Sequence, residues 1–249
     1  MIPPGKIGLQ LYTVRDLMAR DVPGTLAEVA AIGYRELEFA GYFDHEPGRI
    51  ADLLAVNGLK APSTHAPLDA FQTRLDSLIE TAQLIGHRHL VLPWLLPDQR
   101  QSLQQYAEIA KLLNEAGKAC QGAGIAVGYH NHDFEFEAID GKLPIDLLLE
   151  ETDPDLVKIE LDLYWITKAG YSAQDYFSKH PGRFNQVHVK DLAASGEITE
   201  VGSGTIAFGQ VLTAARSAGV EHFYVEHDHP ADALVSIKTS FSALVNGHP

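Results

Sequence analysis

The stretch "KIGLQLYTVRDLMARDVPG", Lys6 to Gly24, decides how the fold is read. Its first part, through Val14, is a β-rich run of the kind that enters a sheet. A doubly wound, dinucleotide-binding sheet would follow such a strand with a glycine-rich phosphate loop. This chain follows it with "RDLMARDVPG", which is no such loop. A helical pattern then runs through "TLAEVAAIG", Thr25 to Gly33, and Gly33 stands where a helix C-cap belongs.

The same strand-then-helix unit recurs to the end of the chain. Further strand-like runs are "YRELEFA" from Tyr34, "LKAPSTHAP" from Leu59, "HLVLPWL" from His89 and "IAVGYHNH" from Ile125. They continue with "LVKIELDLYWI" from Leu156, "FNQVHVKD" from Phe184 and "HFYVEHD" from His222. Helical patterns fill each interval, and a last one runs through "ALVSIKTSFSALV". Strict alternation predicts a parallel sheet, and eight units in 249 residues predict closure into a (β/α)8 TIM barrel. With no linker or low-complexity run, residues 1–249 are read as a single α/β domain.

Composition narrows the class of function. The chain is 45% hydrophobic and 21% charged, ordinary for a soluble protein with a sizeable core. A net charge of −14 argues against a protein that grips nucleic-acid phosphates, which needs a basic surface. The single cysteine, Cys120, excludes an internal disulfide framework and suits a reducing compartment. The N-terminus lacks a signal-peptide pattern, and no apolar run reaches the roughly 18 residues of a spanning helix. The expectation is a cytoplasmic protein with no membrane or nucleic-acid partner.

In such a barrel the reactive face lies at the C-terminal ends of the strands. Those ends carry Glu36 and Glu38 on the second strand, His65 on the third and Trp94 on the fourth. The fifth offers His130 and His132, with Asp133 and Glu135 just beyond; the sixth offers Glu160 and Asp162. The seventh carries His188, Lys190 and Asp191, and the eighth Glu226, His227 and Asp228. Period-two alternation puts His130 with His132, Glu160 with Asp162, and His188 with Lys190 on shared faces. Each residue alone has a structural reading: Asp133 and Asp228 as loop starts, Glu36 as a partner for a lysine or arginine, Lys190 as a rim residue. Four consecutive strand ends of this composition point instead to a polar active site. Inward carboxylates are costly unless paired, hydrogen-bonded or bound to a metal, and three such ligands could converge on one divalent cation.

With these residues placed, the chain resembles the sugar phosphate isomerase/epimerase family with a xylose isomerase-like barrel. The likeness rests on "IGLQLYTVRD", "YHNHDFEF", "ELDLYW", "VHVKD" and "VEHD" and covers essentially the whole chain. The resemblance implies one divalent metal held by Glu, Asp, His and Glu from strands five to eight. Asp162, His188 and Glu226 match the last three in order and strand position. The fifth strand departs: where many relatives read Glu-Asn-His, this chain reads His130-Asn131-His132. Either His130 replaces the glutamate or Glu135 reaches back over the strand end. A hard site suiting manganese, cobalt or magnesium favours Glu135, and a nitrogen-richer one would be friendlier to zinc. Trp165 stands where some epimerases carry a substrate-holding histidine, which puts the family's two-glutamate epimerisation in question.

The resemblance implies metal-dependent isomerisation or epimerisation of a ketose through a metal-stabilised enediolate. Glu226 and His132 are the acid/base candidates, and Lys190 is placed to steady an oxyanion. Glu38, His65, Trp94, His130 and Trp165 are expected against the substrate. Loss of a β-substituent would make the enzyme a lyase or dehydratase on a 3-keto-glycoside or inosose-like substrate. A sugar-binding protein without catalysis is the alternative of another class. With few basic rim residues and no phosphate loop, a neutral sugar is expected over a sugar phosphate.

Overall fold

In the computed structural model, which describes residues 2–247, eight parallel strands close into a barrel. They are β1 (Ile7–Gln10), β2 (Glu36–Phe39), β3 (Lys60–His65), β4 (His89–Leu92), β5 (Ala126–His130), β6 (Val157–Asp162), β7 (Phe184–Val189) and β10 (His222–Val225). The remaining pair, β8 (Asp191–Leu192) and β9 (Ile198–Thr199), forms a small antiparallel hairpin in the loop after β7. Strand order around the barrel follows the chain, and β1 closes on β10 with Gly8 opposite Tyr224. Gly8 lets the two strands close, since a Cβ there would lie 2.6 Å from the Tyr224 ring and force it to shift.

A principal helix follows every barrel strand. In order these are α2 (Val22–Ile32), α3 (Pro47–Val56), α5 (Leu75–Ile85), α6 (Leu103–Gln121), α7 (Pro144–Glu151), α9 (Ala173–Lys179), α10 (Phe208–Ser217) and α11 (Ala233–Asn246). Three short helices, α1 (Arg15–Met18), α4 (Leu68–Thr73) and α8 (Leu163–Lys168), sit in the loops at strand C-terminal ends. Local chemistry starts and stops them. Asp21, Ser102, Ser172 and Asp232 cap backbone N–H groups of α2, α6, α9 and α11. Gly33 ends α2 at φ 126°, as its position in the sequence predicts.

The strands are shorter than the apolar runs that announce them, because polar side chains at their ends turn the backbone. Gln10 accepts the Tyr12 N–H at 2.9 Å and starts a 3-10 turn over Leu11–Val14. Asp162 accepts the N–H groups of Tyr164 and Trp165 and nucleates α8, so the expected strand through Ile166 ends four residues early.

Two environments divide the interior. Outward strand side chains such as Leu9, Leu37, Leu161, Val187 and Val225 join the helices in one apolar layer. The space inside the barrel is polar instead of being filled by the branched apolar side chains usual for this fold. Contacts that span it reveal this: Glu38 of β2 meets His188 of β7, and His65 of β3 meets Glu160 of β6. Near the N-terminal end, Glu36 is held by His222 at 2.8 Å and Lys6 at 3.0 Å, the kind of pairing expected for it. Among the described residues no helix is long and apolar enough to cross a membrane.

Candidate metal centre and active site

His188 is the hinge of the site, because its two ring nitrogens face two different clusters. Its Nε2 points into the barrel, 2.8 Å from Glu38 Oε2 and 3.3 Å from Glu160 Oε2. Its Nδ1 points to the mouth, 2.8 Å from Glu226 Oε2, 2.9 Å from His130 Nε2 and 3.7 Å from Asp162 Oδ2. Strand register sets this up, since Asp162 lies directly opposite His188 and His130 opposite Glu160.

The inner cluster is closed and internally compensated. Glu38, with no solvent exposure, accepts from Gln10 Nε2 at 2.7 Å and Ser63 Oγ at 2.5 Å and lies 3.2 Å from His65. Glu160 takes His65 at 2.9 Å and Gln186 Nε2 at 3.1 Å. Burial acts to raise the Glu38 carboxyl, but His65 and His188 outweigh it and hold it well below the usual range. Burial acts to lower His65, but Glu38 and Glu160 lift it to about 9. Glu38 was expected against substrate; it is instead a buried anion that fixes His188 with Nδ1 turned outward. His65 lies in the same network, between Glu38 and Glu160.

The outer cluster brings His130 Nε2, Asp162 Oδ2, His188 Nδ1 and Glu226 Oε2 within 4.8 Å of one another. Asp162 divides its labour: Oδ1 caps α8, while Oδ2 is buried without a hydrogen bond among the described residues. Ionisable groups face that oxygen, with Lys190 Nζ at 3.0 Å and His130 Nε2 at 3.5 Å. Lys190 is 1% exposed, and its ammonium also meets Glu226 at 2.7 Å and Asp228 at 2.9 Å. Against the opposing effect of burial, these carboxylates raise Lys190 well above its ordinary value, and Lys190 holds Asp162 well below its own. A buried carboxylate oxygen without a hydrogen bond, two imidazole nitrogens facing each other, and a second carboxylate are a donor set that fits a divalent ion.

Glu135 does not join this group. The chain does curl after β5, in a 3-10 turn over Phe134–Phe136, but the turn returns the carboxylate to the strand it left. Glu135 accepts the Tyr129 hydroxyl and, at 2.7 Å, the His132 backbone N–H. Burial raises its carboxyl to about 8. The expectation that Glu135 would reach the ion site is thus corrected, and His130 occupies that corner.

His132 stands beyond the strand end inside an aromatic box. Its ring stacks on Phe134 at 5.2 Å, with Trp94 at 4.5 Å and Trp165 at 5.4 Å. Arg100 lies over the Phe134 ring at 3.5 Å. Burial and the neighbouring His130 hold His132 well below its ordinary pKa, so the ring is neutral, and its Nδ1 has no partner among the described residues. The Trp165 indole Nε1 is likewise buried and unpartnered, on α8 beside Lys190. Trp94 is 43% exposed at the mouth.

Asn131 and Asp191, to which the sequence assigns no role, hold the others in place. Asn131 accepts the Asp162 N–H at 3.0 Å, tying β5 to β6. Asp191 organises the loop after β7 by accepting the N–H groups of Leu192, Gly202, Gly204 and Ile206. Both lie inside quoted motifs, which is the signal that could have found them. Gln10 lies inside a quoted motif too, but Ser63 and Gln186 gave no signal, because amides and hydroxyls on strands are common.

A closed parallel barrel gathers imidazoles and carboxylates at its C-terminal mouth, in groups that could hold a metal ion. The chain belongs to the xylose isomerase-like TIM barrel family, which matches it over residues 26–242. A sugar phosphate isomerase/epimerase from Parabacteroides distasonis ATCC 8503 superimposes with a TM-score of 0.83 at 25% identity, over 96% of this chain and 93% of that one. Inosose dehydratase from Geobacillus kaustophilus (strain HTA426) is 24% identical over 203 residues, 69% of this chain and 65% of the relative. Inosose dehydratase 2 from Bacillus cereus is 23% identical over 151 residues, 53% of this chain. The alignment spans 50% of that relative's own length.

Proposed function

We propose that this chain is a divalent-metal-dependent enzyme that isomerises or epimerises a neutral keto-sugar or keto-polyol by moving the proton beside its carbonyl. The observation that carries this is the outer cluster, where Asp162 Oδ2 is buried without a hydrogen bond among two imidazoles and a second carboxylate. His130, Asp162, His188 and Glu226 would hold the ion. A bound divalent ion supplies Lewis-acid polarisation of a carbonyl and its neighbouring hydroxyl, which acidifies the C–H between them.

The remaining chemistry falls to this chain's own residues. His132, neutral and with an unpartnered Nδ1, is suited to take the proton and return it. Glu226 is the second candidate for that role, at the same cluster. The Lys190 ammonium donates to Asp228 and stands within ion-pair distance of Asp162 at 3.0 Å and Glu226 at 2.7 Å. With Asp162 and Glu226 turned to an ion, the ammonium would be available to a substrate oxygen. Trp165 Nε1 offers a further donor for a hydroxyl, and Trp94 and Trp165 shield the site from water. Of the basic rim residues, Arg15 is held by the Tyr12 and Asp228 carbonyls, and Arg100 and Lys168 lie over aromatic rings. The lack of a glycine-rich phosphate loop after the first strand favours a neutral substrate over a phosphorylated one.

A second reading is dehydration, in which the same proton abstraction is followed by loss of a β-hydroxyl. It is favoured by the sequence similarity to inosose dehydratases. One experiment addresses both: incubation of metal-loaded protein in D2O with free ketoses, inososes, 3-keto-glycosides and ketose phosphates, followed by NMR. Deuterium should enter beside the carbonyl of a neutral substrate, and the product separates isomer or epimer from dehydrated compound. His132→Asn should retain the metal and lose exchange. Sugar binding with no exchange or turnover across the panel would make the protein a non-catalytic binder.

A further inference from the structure

Resting on the metal reading above, we propose that His130 tunes the outer cluster to a late divalent transition metal of the zinc, cobalt or nickel kind instead of manganese or magnesium. The corner where the resemblance implies a glutamate is an imidazole. The carboxylate expected to replace it from the same segment, Glu135, is committed to Tyr129 and His132. The donor set is therefore two nitrogens and two oxygens, not one nitrogen and three oxygens.

Geometry and charge both follow from that substitution. The contacts known within the cluster run from 2.8 Å for His188 with Glu226 to 3.7 Å for His188 with Asp162. Ligands about 2.0–2.2 Å from a tetrahedral ion stand about 3.3–3.6 Å apart, so small adjustments suffice. Magnesium prefers six oxygens and keeps its water, and manganese favours carboxylate and carbonyl oxygen, whereas imidazole suits the later metals. Hard ions depend on anionic charge, and here Lys190 already neutralises part of it. Asp162, Glu226 and Asp228 carry three negative charges against one ammonium, which leaves two for a divalent ion. His188 adds to the preference, because Glu38 and Glu160 hold its Nε2 and leave the Nδ1 lone pair directed at the cluster.

Any mixed N/O site binds zinc more tightly than manganese or magnesium, so wild-type preference alone decides nothing. The diagnostic is its change in His130→Glu. Metal-stripped wild type, His130→Glu and His130→Gln, each checked for fold by circular dichroism, are dialysed against zinc, cobalt, manganese and magnesium singly and in competition. Bound metal is then counted by mass spectrometry. The expected result is that His130→Glu shifts the zinc-to-manganese affinity ratio toward manganese by about tenfold or more, in the range of ligand-environment changes at such sites. His130→Gln should lose zinc by a similar factor without gaining manganese. The cobalt-loaded wild type should show the strong visible absorption of a four-coordinate ion, weakened in both variants.

An unchanged ratio in a folded His130→Glu protein overturns the proposal, as does loss of metal on Glu135→Gln with retention on His130→Gln. Absence of any stoichiometric metal in folded wild type overturns this inference and the metal-dependent function together. A His130-dependent preference with no sugar turnover would leave this inference standing and sink the proposed activity alone.

Discussion

Replacing Glu135 by glutamine should make the protein more resistant to unfolding at alkaline pH and leave it nearly unchanged near pH 5. Glu135 has no solvent exposure, and its carboxylate meets the Tyr129 hydroxyl and the His132 N–H, with no ion pair among the described residues. Burial therefore dominates and raises the carboxyl to about 8. In the unfolded chain a glutamate titrates near about 4.3. Below that value both states hold the proton, and the side chain adds no pH dependence. Between it and about 8 the folded protein keeps a proton that the unfolded chain has released, so stability falls as pH rises; above about 8 the whole penalty is present. At about 1.4 kcal/mol per pH unit the interval sets a ceiling of about 5 kcal/mol, and relaxation around the charge brings the expected effect to about 2–5 kcal/mol. Glutamine does not titrate, keeps an oxygen for the His132 N–H, and leaves the Tyr129 hydroxyl free to accept from its amide. Urea unfolding of both proteins at pH 5 to 9 measures the difference directly. A difference that stays flat across that range, or a wild type that gains on the variant as pH rises, would refute the assignment of Glu135 as a buried, cation-free carboxyl. Loss of stoichiometric metal from the variant would return Glu135 to the ligand set.

Asp162→Asn should keep the fold and lose the metal, because the amide oxygen can still cap α8 while its NH2 replaces the oxygen that faces His130 and His188. Metal analysis beside a thermal melt reads both, and a variant with unchanged metal affinity removes Asp162 from the site. Gly204→Ala should cost about 1–3 kcal/mol of stability, since the new Cβ would sit 2.3 Å from Asp191 Oδ1 and 2.5 Å from the Leu192 carbonyl oxygen. A melt indistinguishable from wild type would show that the Asp191-centred loop yields freely.

Alternation of apolar strands and helices, the missing phosphate loop after Val14, and the His and carboxylate residues at strand ends are periodic or local features, and they are written in the sequence. They sufficed for the barrel and for the convergence of Asp162, His188 and Glu226, because parallel strands in order bring their ends to one rim. What tertiary structure alone decided was the destination of side chains whose partners are distant or whose backbone turns. Glu38 became a support for His188 through a contact across 150 residues, which no spacing rule encodes. Trp165 moved from a strand to a helix because Asp162 caps the backbone ahead of it. The choice between His130 and Glu135 rested on a single 3-10 turn, which aims the carboxylate at Tyr129 and leaves the imidazole in the cluster. A buried carboxylate goes wherever a donor compensates its desolvation, and which donors lie within reach is a property of the folded barrel.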